Sequence, residues 1–297
     1  MKPEKSTHPA VSLAAGAKKP SAPEGAVARI AQVIGDLPAM PHIAARVLEK
    51  LSDEDANPKE INELITKDQA LAARVLKVAN SPFYGASRSI ATLHDAVMFM
   101  GFDSIRSLIT TAVLKGMYSK VGLAEKLLWE HSVGCGLTAK KIANEIRYRG
   151  KEEAYLAGLM HDVGKTALFL HAPEAMREIM EAVYNDGADF FGAEQRMFGF
   201  NHAMVGGAIA ANWRFTSGIE EAIANHHQPE RGGASELAQI VSAANSICHK
   251  LEVGPIRRPD LDLNSVKSLK ALGLDSDRVE LMLVEVKETL QSEPGGI

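Results

Sequence analysis

Cysteine is scarce: Cys135 and Cys248 are the only two in 297 residues, far apart and without a CxxC pair. That argues against a disulfide framework and fits a reducing cytoplasm. Aromatic residues make up 5% of the chain, too few for a base-stacking surface. Charge of one sign is also lacking. The chain carries 33 basic and 37 acidic residues, net -4, so no basic excess advertises a nucleic-acid partner. No apolar run reaches the roughly 18–20 residues that a membrane span needs. Ala10 to Ala17 is too short and weakly apolar for a signal peptide. Neither a nucleic acid nor a membrane is therefore expected as a partner. Alternating strand patterns and internal repeats are missing as well. What is present is a chain 46% hydrophobic, able to bury a sizeable core in one large domain or two ordinary ones.

Read in order, residues 1–25 are rich in Pro, Ala, Ser and Lys without apolar periodicity, which reads as a disordered leader. Helical periodicity begins near Ala26. Helices are expected over Ile43–Leu51, from Asn57-Pro58 onward, over Asp68–Ala79, and on both sides of the Gly101-Phe102-Asp103 turn, Thr92–Phe99 and Ser104–Leu114. These make a first all-helical lobe, residues 26–119. A second lobe, residues 120–254, has further helices. Leu127, His131, Cys135, Thr138 and Ile142 share one face of the first. Later ones are expected over Glu174–Tyr184, Phe190–Phe198, His202–Trp213 capped by Asn201, a helix opening at the capping box Ser217-Gly218-Ile219-Glu220, and Leu237–Leu251. Gly206-Gly207 in mid-helix costs about 1 kcal/mol per glycine relative to alanine, a cost that suits a place where another helix must come close. Residues 255–297 form a tail with short helices at Asn264–Leu272 and Asp277–Leu290, ending in Ser292-Glu293-Pro294-Gly295-Gly296. The fold class read from these patterns is all-α, two helical lobes.

The chemistry gathers around Met160-His161-Asp162-Val163-Gly164-Lys165. Leu156, Leu159, Met160 and Val163 fall at i, i+3, i+4 and i+7, the stripe of a helix packed into a core. His161 and Asp162 are thus held beside buried surface, where unpartnered polar groups cost on the order of a few kcal/mol. Backbone hydrogen bonds would satisfy them; so would a metal ion, which suits both groups. His131, His202, His226 and His227 also fall on or beside inner helix faces of the second lobe. Histidine with carboxylate favours iron, manganese or zinc over magnesium or calcium. Six ligands exceed one tetrahedral zinc set, which leaves room for two ions bridged by Asp162. On a helix, neighbours such as His226 and His227 point about 100° apart, so both coordinate only at a frayed end or to different ions. Lys165 either places an ammonium over a phosphate near the metal or ends its helix in solvent.

The order His131, His161-Asp162 with Gly164-Lys165, His202, then His226-His227 resembles the HD superfamily of metal-dependent phosphohydrolases, its HD-GYP branch in particular. The span Ala26 to Gly254 looks more closely like the bacterial HDOD domain. Leu37-Pro38-Ala39-Met40-Pro41, Asp68-Gln69-Ala70-Leu71, Leu76-Lys77-Val78-Ala79-Asn80-Ser81 and Ala96-Val97 to Met100-Gly101 carry that likeness in the first lobe. Trp129-Glu130-His131-Ser132, Gly158 to Lys165, Asn201-His202 and His226-His227-Gln228-Pro229 continue it. The resemblance implies that His131, His161 and Asp162 sit where HD enzymes hold their first metal, and that His202, His226 and His227 match the extra ligands of the HD-GYP branch. The late aspartate that completes the first metal in HD enzymes is matched here by Asn245, a neutral and weaker ligand. Gln228-Pro229-Glu230-Arg231 stands where the GYP triplet is absent, which weighs against cyclic-dinucleotide hydrolysis.

Two functions follow as expectations. The first is a cytoplasmic signal-transduction module with a signalling-protein partner and an iron or manganese site of one or two ions, with little or no catalysis. The second is a phosphohydrolase acting on a nucleotide or cyclic dinucleotide, in which Asp162 bridges the metals and Lys165 stabilises charge on a phosphate-containing ligand.

Overall fold

The computed structural model describes residues 23–53, 55–81, 89–118, 123–231 and 235–292. Residues 1–22 of the expected leader, Pro82 of the expected turn and the closing Glu293 to Gly296 lie outside these. Every regular element among the described residues is a helix.

The first five are α1 (Pro23–Gly35), α2 (His42–Lys50), α3 (Pro58–Ile65), α4 (Gln69–Ala79) and α5 (Leu93–Tyr118). Helix starts the sequence before the expected boundary: Pro23 to Gly25, placed with the leader, are the first turn of α1. The caps follow from the side chains. Asn57 accepts from the Glu60 N–H with Pro58 in the first turn, and Asp68 accepts from Ala70 and Leu71 N–H, so orphan donors at each helix start are satisfied. The two helices expected around Gly101 run as one element broken at that glycine, with φ 75° and ψ 166°, a conformation open to glycine alone.

Burial divides the first helices between two cores. Val47, Ile61, Ile65, Val75, Ile105 and Ile109 are fully buried in one. Ile30 and Val33 of α1, with Leu114, Met117 and Tyr118 at the end of α5, belong to the other. α5 therefore reaches into both. By length and composition it is also the one described helix that matches a membrane span, which the sequence reading did not expect; 61% of its most apolar stretch is buried inside the protein.

The larger core is built on α6 (Leu123–Glu145), α7 (Lys151–Met160), α8 (Val163–His171), α9 (Pro173–Asp186), α10 (Phe190–Phe198), α11 (His202–Asn212), α12 (Ser217–Asn225) and α13 (Glu236–Lys250). The stripe of Leu156, Leu159, Met160 and Val163 is buried as expected, but it does not lie on one helix. α7 stops at Met160, and α8 starts at Val163. His161 and Asp162 form the joint, with Asp162 at φ -102° and ψ 8°. A bend that keeps its flanking residues inside leaves the apolar period unbroken, so periodicity does not register it. The cap of α12 is Thr216, which accepts from Ile219 N–H, and Ser217 is the first helical residue. Asn201 caps α11 through the Met204 N–H.

Glycines set the helix approaches around this joint. A Cβ at Gly206 would lie 2.8 Å from Ile223 Cγ2, and one at Gly207 2.9 Å from Ala224 Cβ, so α11 and α12 meet over the glycine pair. At Gly164 the approach is closer: a Cβ would fall 2.0 Å from the His202 carbonyl oxygen. Only a bare Cα lets α8 lie this near the start of α11.

In the tail, the expected helix over 264–272 is instead a 3₁₀ turn (Leu263–Ser265) followed by α14 (Lys267–Ala271), and the last helix is α15 (Ser276–Ser292). Leu269, Val279, Met282 and Val286 join the larger core, and Lys141 of α6 pairs with Glu285 of α15 at 2.6 Å.

Gly164→Ala should destabilise the fold by about 1–3 kcal/mol, the usual cost of overpacking, because the obstacle is backbone rather than a yielding side chain. Urea unfolding of the two proteins checks it; an unchanged midpoint would show that α8 and α11 can separate freely.

Candidate metal centre

Five stretches of chain meet at the α7–α8 joint. α6 contributes His131, the joint His161 and Asp162, α11 His202, the end of α12 His226 and His227, and α13 Asn245. His131, His161, Asp162, His202 and His226 are at most 2% exposed and Asn245 is 9% exposed, whereas His227 is exposed. α12 ends at Asn225, so His226 and His227 leave the helix and turn their rings to one site, with centroids 4.1 Å apart.

The carboxylate of Asp162 lies between two sets of imidazoles. Its Oδ2 is 3.4 Å from His161 Nε2 and 3.7 Å from His131 Nε2; its Oδ1 is 3.3 Å from His202 Nε2 and 3.8 Å from His226 Nε2. These separations exceed ordinary hydrogen-bond lengths and suit the edges of a coordination polyhedron, where ligands about 2 Å from an ion stand roughly 3 Å or more from each other. His227 Nε2 joins the second set at hydrogen-bond distance, 2.8 Å from His202 Nε2.

Each buried imidazole is fixed from behind. His131 Nδ1 lies 2.9 Å from the Val253 carbonyl oxygen, His161 Nδ1 2.8 Å from that of Gly158, and His226 Nδ1 2.7 Å from that of Ile223. A carbonyl only accepts, so each Nδ1 donates. With the ring neutral, each Nε2 then carries a lone pair that points inward. His202 Nδ1 sits 2.6 Å from Glu194 Oε2, which also accepts from the His202 backbone N–H at 2.7 Å. Burial pushes the His131 ring down to about 4 and holds His226 well below its usual range too. Burial alone would raise the Asp162 carboxyl; the neighbouring His161 and Lys165 outweigh it and keep it well below the usual carboxylate range.

These donors fit a transition metal. His161 Nε2, Asp162 Oδ1 and His226 Nε2 are buried without a hydrogen-bond partner, and each of these three residues offers a ligand atom within 4.8 Å of those of the other two. Three orphaned polar atoms aimed at one volume would cost several kcal/mol if nothing occupied it. At His131 two acceptors face each other, the Nε2 lone pair and Asn245 Oδ1 at 3.1 Å. A cation between them, or a flipped amide that donates, removes that repulsion.

Lys165 is not a solvated lysine at a helix end. It lies in the first turn of α8, 3% exposed, with Nζ 2.6 Å from Asp162 Oδ2 and 4.7 Å from the centre of the Phe190 ring. Glu194 was missed in the sequence. Its signal was available: it stands four residues after Phe190, on the stripe that buries Phe190 and Ala193. His249, stacked on His131 with centroids 5.2 Å apart, was also missed, and nothing in its local sequence marks it.

Residues 37–229 match the HDOD domain family. The match covers well over half of the chain, and the protein belongs to that family. An HDOD domain protein of unknown function from Geobacter sulfurreducens is 29% identical with a TM-score of 0.73, over 90% of this chain and 96% of that one. A provisionally named phosphohydrolase from Shewanella amazonensis is 24% identical with a TM-score of 0.66, over 87% and 98%. A provisionally named signal transduction protein from Marinobacter aquaeolei is 19% identical with a TM-score of 0.71, over 91% and 64%. The last two likenesses show the fold. The chain spans 39% and 18% of the length of two curated relatives it matches.

Removing the support behind His202 should loosen the centre. Glu194→Ala is expected to weaken transition-metal affinity by about 10–100-fold, the usual effect of losing a group that orients a ligand; Glu194→Gln, which keeps an acceptor oxygen, should lose less. Competition with a chromophoric chelator measures both, and equal affinities in all three proteins would mean that His202 does not ligate.

Proposed function

We propose that the chain is a bacterial cytoplasmic signal-transduction module whose transition-metal centre, of one or two ions, ties the second lobe together with little or no turnover. The observation that carries this reading is the Lys165–Asp162 ion pair inside a buried centre. The ammonium that would meet a phosphate is instead 2.6 Å from Asp162 Oδ2. Of the residues proposed as ligands only His227 is exposed, so a substrate has one side from which to approach. An ion held by side chains from separate helices stabilises their packing by an amount that rises with the logarithm of ion concentration above its dissociation constant, which suits a sensor or a structural centre. The first lobe offers the partner surface: Met98 and Phe99 on α5 stand 59% and 46% exposed, and apolar groups of that size in the open suit contact with a signalling protein.

A second reading, phosphohydrolysis of a nucleotide or cyclic dinucleotide, is favoured by one feature. Asp162 divides its two oxygens between two histidine sets, the placement of a carboxylate bridging two ions. Ions bound there would supply Lewis-acid activation of water and of a phosphoryl oxygen. In that reading Lys165 must leave Asp162 to steady a phosphate, and the neutral Asn245 holds its ion less tightly than an aspartate would.

Elemental analysis of the purified chain should find one or two transition-metal ions per molecule, iron foremost, and His161→Ala should carry less. With manganese added, bis-p-nitrophenyl phosphate should be hydrolysed no faster by the wild-type chain than by Asp162→Ala. Turnover that vanishes in Asp162→Ala would establish the hydrolase instead. Asn245→Asp should raise metal occupancy; no gain would count against Asn245 as a ligand.

A further inference from the structure

We propose that Cys135 is a ligand of the metal held by His131 and His161, so that this half of the centre has a nitrogen–sulfur donor set and selects zinc or iron over manganese. The inference rests on the metal centre proposed above and adds to it a donor and a selectivity.

Cys135 is fully buried on α6, one turn after His131 and on the same face. Its Sγ lies 3.5 Å from His131 Nε2. A tetrahedral ion bonded to sulfur at about 2.3 Å and to nitrogen at about 2.0 Å holds those two atoms about 3.5 Å apart. The ligand atoms of His131, Cys135 and His161 lie within 4.8 Å of one another. An independent observation points into the same space: His161 Nε2, fully buried, has no hydrogen-bond partner. The second cysteine stands beside the first, with its side chain in hydrogen-bond contact with the Cys135 thiol, but it faces away from the imidazoles. Cys248 Sγ lies 3.6 Å from the hydroxyl of Thr138 and belongs to no such group among the described residues.

Charge supports the same assignment. Among the described residues the carboxylate oxygen at this half is Asp162 Oδ2, which Lys165 already pairs with at 2.6 Å. The amide of Asn245, 3.1 Å from His131 Nε2, is neutral. A divalent ion here would be under-compensated. A thiolate supplies the missing negative charge: the Cys135 thiol loses its proton to solvent as the sulfur–metal bond forms. Thiolate is a softer donor than carboxylate and suits zinc and iron better than manganese.

The test uses the full chain loaded with cobalt(II) and, separately, zinc. A sulfur-to-cobalt charge-transfer band in the near ultraviolet is expected in the wild-type chain and in Cys248→Ser, and should be missing from Cys135→Ser. That variant should bind zinc at least about tenfold more weakly, since a lost ligand costs no less than a lost supporting group. Zinc-edge X-ray absorption of the wild-type chain, which depends on no variant folding, should show a sulfur neighbour at about 2.3 Å. Cobalt bound without the band, a band that survives in Cys135→Ser, or a zinc shell of nitrogen and oxygen alone overturns the role of Cys135 while leaving the metal centre standing. If the wild-type chain and His161→Ala alike take up no metal, the centre itself is refuted and this inference with it.

Discussion

The four buried histidines around Asp162 have their Nδ1 atoms engaged by the protein, and that constraint organises the second lobe. Three donate to backbone carbonyls, of Val253, Gly158 and Ile223, and His202 leans on Glu194. Two of these carbonyls belong to the helical turn just before the histidine itself. The rings of His161 and His226 are therefore oriented locally, by the ends of α7 and α12, while His131 and His202 are held by Val253 and Glu194 from other parts of the chain. What remains for tertiary structure is to bring the oriented lone pairs to one carboxylate.

Close packing does that work. Gly164 lets α8 lie against the start of α11, and Gly206 and Gly207 let α12 lie across α11. Each approach moves a ligand-bearing helix end toward the joint at His161 and Asp162. The same density seals the centre, and the sealing has consequences in both directions. It makes unsatisfied nitrogen and oxygen atoms expensive, which favours an ion. It also puts Lys165 beside Asp162 rather than in solvent, which turns the strongest candidate for phosphate contact into an internal ion pair. A regulatory centre and a hydrolytic one would share the ligands and differ in where that ammonium rests.

Much of the candidate site was legible in the chain because its signals are local. His131 shares a stripe with Cys135 and Ile142, Asn201 is a helix cap, and the glycine pair marks a close approach; each is a matter of neighbouring residues and period. The misses have a common cause. The bend at His161 and Asp162 preserves the apolar period, so a two-helix joint reads as one helix. Thr216 and Ser217 are both good caps, and only backbone geometry chooses between them. Glu194 lies on a buried stripe, but its partner His202 is on another helix. For Lys165 the sequence leaves a place at the metal and a place in solvent both open; Asp162 and Phe190 hold it inside.

The all-helical class, the succession of helices and the set of imidazoles able to bind an ion were determined by the amino-acid order itself, since period, caps and residue chemistry act over a few positions. Only the tertiary structure decided how those groups face each other. It divided the two oxygens of Asp162 between two histidine sets and put Glu194 behind His202. The physical reason is that each of these is a distance across helices, set by how closely side chains and bare glycines let the helices pack.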